Sequence, residues 1–402
     1  MTHESHSRGT FAAFKETLLA YTFDLGGLIA GFVIVSQTGL FELSPWAIAV
    51  YPAILSAKGV ISGLLSGRLG TALHLGTVHP KFLNNTKNFY NLIHATVVMT
   101  LVVGVVMSLI SLIFGSIFWG AKPEQFLDII SVVVATMSLG LILTVITTKV
   151  AFVTFKRGLD PDIVVYPIMS TVADIFITLC FILILNAFFL FNLGGRFLIV
   201  AIILLHLMLV LYIVPKDFRE RDFRRSLKES LLTMLFISII ANVTGTVLKN
   251  ISQIVESRGS EIKTVYPAVI DMVGDVGSVV GSTATTKLAL GLLRPSLSSI
   301  RHHAKTILSA WAASIVMFLI LAVLSPAING TLSVLTLFNL LTILLIANII
   351  AVAAIVLLSF GISILTFQRG LDPDNFVIPI ESSFADSLMT IALLVALVAV
   401  GF

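Results

Sequence analysis

Hydrophobic positions in this chain come in long uncharged runs, not in the narrow periodic stripes of a soluble protein. A run of roughly 20 apolar residues is what a helix needs to cross the hydrocarbon core of a bilayer. Such runs fall at 25–41, 46–57, 88–121, 129–148, 175–195 and 197–215. A charged segment at 216–229 interrupts them, and they resume at 230–248, 264–290, 306–368 and 376–402. The 306–368 stretch carries no charge over 63 residues, too long for one crossing. Ser325-Pro326 and Asn329-Gly330 are turn chemistry and divide it into two. The pattern predicts an all-α polytopic membrane protein with about 11 transmembrane helices.

Composition sharpens this. The chain is 57% hydrophobic and 11% charged, against about 45–50% and about 25% in soluble domains. A soluble protein this apolar would expose aggregating patches, so a soluble enzyme, a disordered chain and a disulfide scaffold are excluded. The single cysteine, Cys180, lies in an apolar run and reads as a small core residue. No cleavable signal peptide is expected, because residues 1–10 are polar and the first apolar run lacks an early small-residue cleavage site.

The net charge of +4 reports topology, and no nucleic-acid partner is expected. With the amino terminus inside, 19 of the 25 Lys and Arg fall in inner loops, 5 in outer loops, and one, Lys58, within a span. That bias places the amino terminus in the cytoplasm and Phe402 outside a cell membrane crossed many times. The eight histidines are scattered, His302-His303 included, without zinc-ligand spacing, and read as inner-surface residues.

The chain repeats itself. Tyr51-Pro52-Ala53-Ile54 recurs as Tyr266-Pro267-Ala268-Val269, and Gly59, Thr71 and Gly76 meet Gly274, Thr286 and Gly291 at the same offset of 215. Arg157-Gly158-Leu159-Asp160-Pro161-Asp162 recurs as Arg369-Gly370-Leu371-Asp372-Pro373-Asp374, and Ser170, Asp174 and Thr178 meet Ser382, Asp386 and Thr390. The expected organisation is a first five-helix repeat at 14–190, a linking transmembrane helix with a basic cytoplasmic segment at 191–226, and a second repeat at 227–402. Five is odd, so the linking helix restores the orientation. The repeats are then parallel, related by a pseudo-twofold axis along the membrane normal.

Six acids fall at membrane depth: Asp24, Asp174, Asp271, Asp275, Glu381 and Asp386. Burying a charge there costs roughly 2.5–3.5 kcal/mol, so such groups line a pathway or have a partner. Lys58 is the one base among them, a candidate counter-ion to Asp24 or Asp275. Ser170, Asp174 and Thr178 form one helical stripe, and Ser382, Asp386 and Thr390 repeat it. If both stripes face the pseudo-axis, they line an oxygen-rich path with one carboxylate from each half. Oxygen ligands suit hard divalent cations, and magnesium keeps several of its waters. Asp275 and Asp271 share a face in the second copy, where the first has Val60 and Ser56. Gly59 and Gly274 belong to glycine-rich helices, a pattern shared by close helix packing and by pore lining. Asp160-Pro161-Asp162 and Asp372-Pro373-Asp374 read as helix N-caps with proline in the first turn, the alternative being a cytoplasmic ion vestibule.

These residues resemble the MgtE-type magnesium channels, and most closely their tandem relatives, solute carrier family 41. In that family the second helix carries P, then K-G-N-L-E and S-R-L-S-T. Here Pro52, Lys58-Gly59-Val60-Ile61-Ser62 and Gly67-Arg68-Leu69-Gly70-Thr71 stand in those places, with Pro267 and Gly274-Asp275-Val276-Gly277 in the second copy. The family's fifth helix follows G-x-D-P and carries a pore aspartate, matching Asp174 and Asp386. The resemblance implies Mg2+ as the transported or bound ion. Divalent cations and the lipid bilayer are the implied partners, and the chain works as a single-chain pseudo-dimer. The CBS modules of bacterial members are absent from this chain. The expected function is transport of divalent cations along the pseudo-axis, Asp174, Asp386, Asp275 and Asp271 being candidate ligands. A sodium- or proton-coupled exporter is the alternative. An intramembrane aspartyl enzyme is disfavoured, since Met272-Val273-Gly274-Asp275 lacks that class's G-x-G-D pattern.

Overall fold

A computed structural model describes residues 10–26, 33, 40, 45–119, 122–221, 223–225, 227–231, 234–235, 237–240 and 260–400. Among these residues the protein is helical, with no strand. The helices are α1 (Thr10–Tyr21), α2 (Pro45–His74), α3 (Lys87–Phe114), α4 (Phe126–Leu139), α5 (Ile142–Lys156), α6 (Pro161–Leu190), α7 (Asn192–Asp217), α8 (Ser260–Ala289), α9 (Ile300–Asn329), α10 (Val334–Gln368) and α11 (Val377–Val400). The described residues of 221–240 are also helical.

Seven helical units among the described residues are long and apolar enough to cross a membrane: Lys87–Ile117, Pro123–Lys156, Pro161–Leu190, Leu193–Asp217, Leu297–Asn329, Val334–Gln368 and Pro373–Val400. The chain is a multi-pass membrane protein. The Pro123–Lys156 unit is α4 and α5 in series, broken at Gly140. α2 and α8 are each 30 residues long, about 45 Å at 1.5 Å per residue. Both are long enough to reach across a bilayer, and both carry charges, Lys58 and Arg68 in α2 and Asp271, Asp275 and Lys287 among those in α8. α2 also extends well past the 46–57 run, continuing through Lys58 and Arg68 to His74. The runs at 25–41 and 230–248 lie largely outside the described residues.

Local chemistry sets the helix ends. Gly330, at φ 68°, takes the left-handed cap of α9, and the Ser333 hydroxyl accepts from Thr336 N to start α10. The long apolar stretch is therefore divided at Asn329-Gly330, whereas Ser325-Pro326, expected to share in the turn, stays inside α9, whose helix runs on through the proline to Asn329. Asp160 caps α6, and Asp372 caps the short 3-10 turn before α11; each accepts from the backbone N–H two residues on. Gly158 and Gly370 precede these caps at φ 74° and 69°, a conformation that a side chain would strain.

The buried core divides into two large clusters. One joins α8, α9, α10 and α11 with Ala20 and Tyr21 of α1; the other joins α2 to α6 with Met234 and Ile237 of the 221–240 stretch. The opening helix of each half is thus packed into the other half. α2 and α8 meet at the middle, where α6 and α11 each lie against both of them.

Two histidines differ from the expected surface placement, while His79 and His302 are exposed. His206 on α7 is buried, bonded to Ser138 Oγ at 2.8 Å and Val97 O at 3.0 Å. His303 is fully buried against Val280 O at 3.0 Å. A single imidazole can satisfy two helices at once, and uncharged-run counting does not register that. Cys180 is buried in α6.

Candidate functional site

At membrane depth, Asp174 is buried on α6 with Ser170 and Thr178 on the same stripe, and the Thr178 hydroxyl meets Tyr51 Oη of α2 at 2.6 Å. On α11, Asp386 and Ser382 are half-buried, and the Thr390 hydroxyl turns back to Asp386 O at 2.5 Å. The two stripes match in sequence but differ in surroundings. Tyr51 lies within electrostatic reach of both Asp174 and Asp271, which brings acids of the two halves to one aromatic side chain.

A second group of acids is deeper in the protein. Asp24, Asp275 and Glu381 are wholly buried. Asp275 acts electrostatically on both Asp24 and Glu381, Asp271 on Asp24, and Asp386 on Glu381. Asp24 Oδ1 accepts from the Thr171 hydroxyl at 3.3 Å. Among the described residues, neither carboxylate oxygen of Glu381 has a hydrogen-bond partner. Gly277 makes room for it, since a Cβ there would lie 2.4 Å from Glu381 Oε2. Repulsion among carboxylates this close is relieved by a bound cation or by protons. Gly274 faces Ala385 of α11 at ordinary contact distance, 3.6 Å from its ideal Cβ. Lys58 and Gly59 are on α2, but their side-chain surroundings lie outside the described residues.

A third level lies at the end of the fold where α2 and α8 finish and α6 and α11 begin, around the two Asp-Pro-Asp motifs that the sequence reads as N-caps or, alternatively, as an ion vestibule. Thr71 and Thr286 meet there, hydroxyl to hydroxyl, at 3.2 Å. Their contacts cross over: Thr286 of the second half faces the Asp162 carboxylate of the first, and Thr71 of the first faces Asp374 of the second. Asp162 and Asp374 are both 4% exposed. Ser282 Oγ adds a 2.9 Å bond to Asp162 O. Arg68 Nη2 stands 3.5 Å from Asp372 Oδ2. A cavity of about 390 Å³ opens beside Arg68, Thr71, Asp372, Asp374 and Asn375.

Each cap at this level is braced from the opening helical segment of its own half. Glu16 of α1 accepts from Asp160 N, and its repeat counterpart Glu229 accepts from Asp372 N at 3.1 Å and from Asn375 Nδ2 at 2.8 Å. The N-cap reading of both Asp-Pro-Asp motifs holds for their first aspartates. The second aspartate of each motif, Asp162 or Asp374, is turned inward. The signal that could have found this pair is the doubling itself, together with the matched Thr71 and Thr286.

His74, Asp160 and Asp162 bring three candidate metal-ligand atoms within 4.8 Å of one another. His74 Nε2 lies 3.6 Å from Asp160 Oδ1, while its Nδ1 meets Gly70 O at 2.9 Å. Lys287 lies within electrostatic reach of both aspartates. Lys287 Nζ itself is bonded to His303 Nδ1 and Thr306 Oγ1, each at 3.1 Å.

Among known sequence families, the MgtE family, described as "Divalent cation transporter", matches residues 51–184 and 266–396. The two matched segments contain α2 to α6 and α8 to α11, respectively, apart from the outermost residues. Among solved structures, the fold is similar to a crystal structure of a MATE transporter in complex with MaD3S, at 11% identity over 96% of each chain and a TM-score of 0.45. It is likewise similar to a mutant of the Vibrio cholerae MATE transporter VcmN, at 12% identity over 97% of this chain and 98% of that one, again with a TM-score of 0.45. Likeness at this level carries no weight for mechanism.

Proposed function

This chain belongs to the MgtE family of divalent cation transporters, and on that premise we propose that it carries Mg2+ along a path between its two halves. The path runs past Asp174 and Asp386 at membrane depth and leaves by the Asp162–Asp374 level. The observation that carries this reading is the crossed arrangement at Thr71 and Thr286, where each half presents a buried aspartate to the other half's threonine. Such an arrangement is what two parallel five-helix repeats around a pseudo-twofold axis would make, with eleven helices in all.

Oxygen donors spaced along the path suit a hard ion that keeps part of its water shell. With the amino terminus cytoplasmic and Phe402 outside, an inside-negative potential favours inflow of a divalent ion by roughly 4.6 kcal/mol per 100 mV, twice the single-charge value.

A coupled carrier is the second reading. The buried group Asp24, Asp275 and Glu381 favours it, because acids off the main path can take up a proton or sodium ion while the divalent ion moves. Flux into proteoliposomes with a panel of divalent ions tests the main reading. Magnesium-dependent flux that is independent of sodium and pH gradients fits a channel. Flux that needs a gradient of either ion fits the carrier. No divalent flux from well-folded protein overturns both.

A further inference from the structure

The segment between the halves carries a feature that ion transport leaves unused. Arg221, Arg224, Arg225 and Lys228 follow the i, i+3, i+4, i+7 spacing of one helical face. Leu231 and Leu235 continue that face for two more turns, and both are exposed. From Arg221 to Leu235 the stripe runs about 21 Å at 1.5 Å per residue. It passes from charged to apolar where the 230–248 run begins. The same residues border an open groove of about 880 Å³, whose other wall is Leu371 and Phe376 at the start of the last span.

The charges in this groove are unequal. Glu229 borders it, but Arg225 Nε takes Glu229 Oε1 at 2.7 Å, and the other carboxylate oxygen is held by Asp372 N and Asn375 Nδ2. Arg225 Nη2 also donates to Gly370 O. Arg221, Arg224 and Lys228 are exposed, and among the described residues none of them is paired with an acid. Among the described residues, the groove therefore presents three positive charges without an acidic partner above an apolar floor. An acidic soluble protein would meet the charges but not the floor, which continues into a membrane-spanning run.

We propose that this groove binds an anionic phospholipid, with the headgroup phosphate held by Arg221, Arg224 and Lys228 and an acyl chain lying over Leu231, Leu235 and Phe376. Basic clusters next to a membrane span attract acidic headgroups at the bilayer surface. The proposal rests on the membrane-spanning reading of the fold and not on which ion is carried.

The test is thermal unfolding of the purified full chain in detergent, titrated with phosphatidylglycerol, phosphatidylcholine or soluble glycerol phosphate. Phosphatidylglycerol is expected to stabilise at a concentration at least tenfold lower than phosphatidylcholine, with no effect of glycerol phosphate. The Arg221→Gln, Arg224→Gln, Lys228→Gln triple variant is expected to weaken the phosphatidylglycerol effect about a hundredfold, at about fivefold per base. Arg225 is left intact because it braces Glu229. Equal stabilisation of the wild type by the two lipids overturns the proposal without any variant. So does a triple variant that keeps the preference, or glycerol phosphate acting as well as the lipid, which would indicate a site for free phosphate.

Discussion

At the scale of single residues, the proposed path makes Asp174 and Asp386 the positions to test first. Each is a repeat-related carboxylate with a hydroxyl one turn away on either side. Asparagine in either place keeps shape and hydrogen bonding while removing one negative charge. Magnesium flux is expected to fall strongly in Asp174→Asn and in Asp386→Asn, and to near background in the double variant. Expression should hold, since a neutral amide costs less to bury than a charged carboxylate. Wild-type flux from a well-folded double variant would remove the pair from the mechanism. A companion test is at Gly70, where an added Cβ would stand 2.1 Å from Asp162 Oδ1. Gly70→Ala should displace that carboxylate and lower stability by about 1–3 kcal/mol. Gly194→Ala, with open space around it, should leave the melting temperature unchanged or slightly raised. Equal melting temperatures for the two variants would mean that Asp162 is not packed against Gly70.

Elements meet here through missing side chains. A Cβ on Gly63 of α2 would lie 2.4 Å from Ile378 Cγ2 of α11, and one on Gly281 of α8 would lie 2.2 Å from Val377 Cγ1. The glycine spacing thus serves close packing of α11 against both central helices, one from each half. Gly63→Ala should destabilise by about 1–3 kcal/mol through overpacking. Adding Ile378→Ala should recover part of that loss, because the second change removes the clashing methyl groups. Strict additivity of the two changes, read by thermal unfolding, would show that the helices are not in contact there. The exchanged opening helices belong to this scale too. Tyr21 of α1 is buried with the second half, and Ile237 with the first, so neither half completes its core without the other.

For the whole molecule, the expectation is that the two halves touch at Thr71 and Thr286 and that this contact borders the ion path. Cysteines at both positions in a chain cleavable within the 216–228 segment should cross-link on mild oxidation, since the native hydroxyls are 3.2 Å apart. The halves should then stay joined after cleavage, and magnesium flux should stop until reductant is added. The buried Cys180 serves as the internal control, unreactive in the parent chain. Halves that separate after oxidation would show that the two threonines are not neighbours, and flux that persists through the cross-link would move the path elsewhere.

By itself the sequence determined what each part of the chain must be. Uncharged runs can only be satisfied in a bilayer as helices, because every backbone polar group must then be bonded within its own segment. Asp-Pro at 160–161 and 372–373 read first as a helical start, and Asn329-Gly330 as a helical end, and the local backbone follows both. The doubled Ser-Asp-Thr stripe and the acids of the second copy were legible for the same reason: they are local, and a charge in an apolar run stands out. Tertiary structure alone decided which distant groups share a neighbourhood. Asp162 read as part of a cap, and only the crossing of α6 over α8 turned it inward to face Thr286. Asp24 was one acid among six until packing put it beside Asp275, and His206 was one more scattered histidine until α7 met α3 and α4. Contacts of this kind depend on how helices cross, and crossing is set by the shapes of surfaces far apart in the chain, which no local pattern encodes.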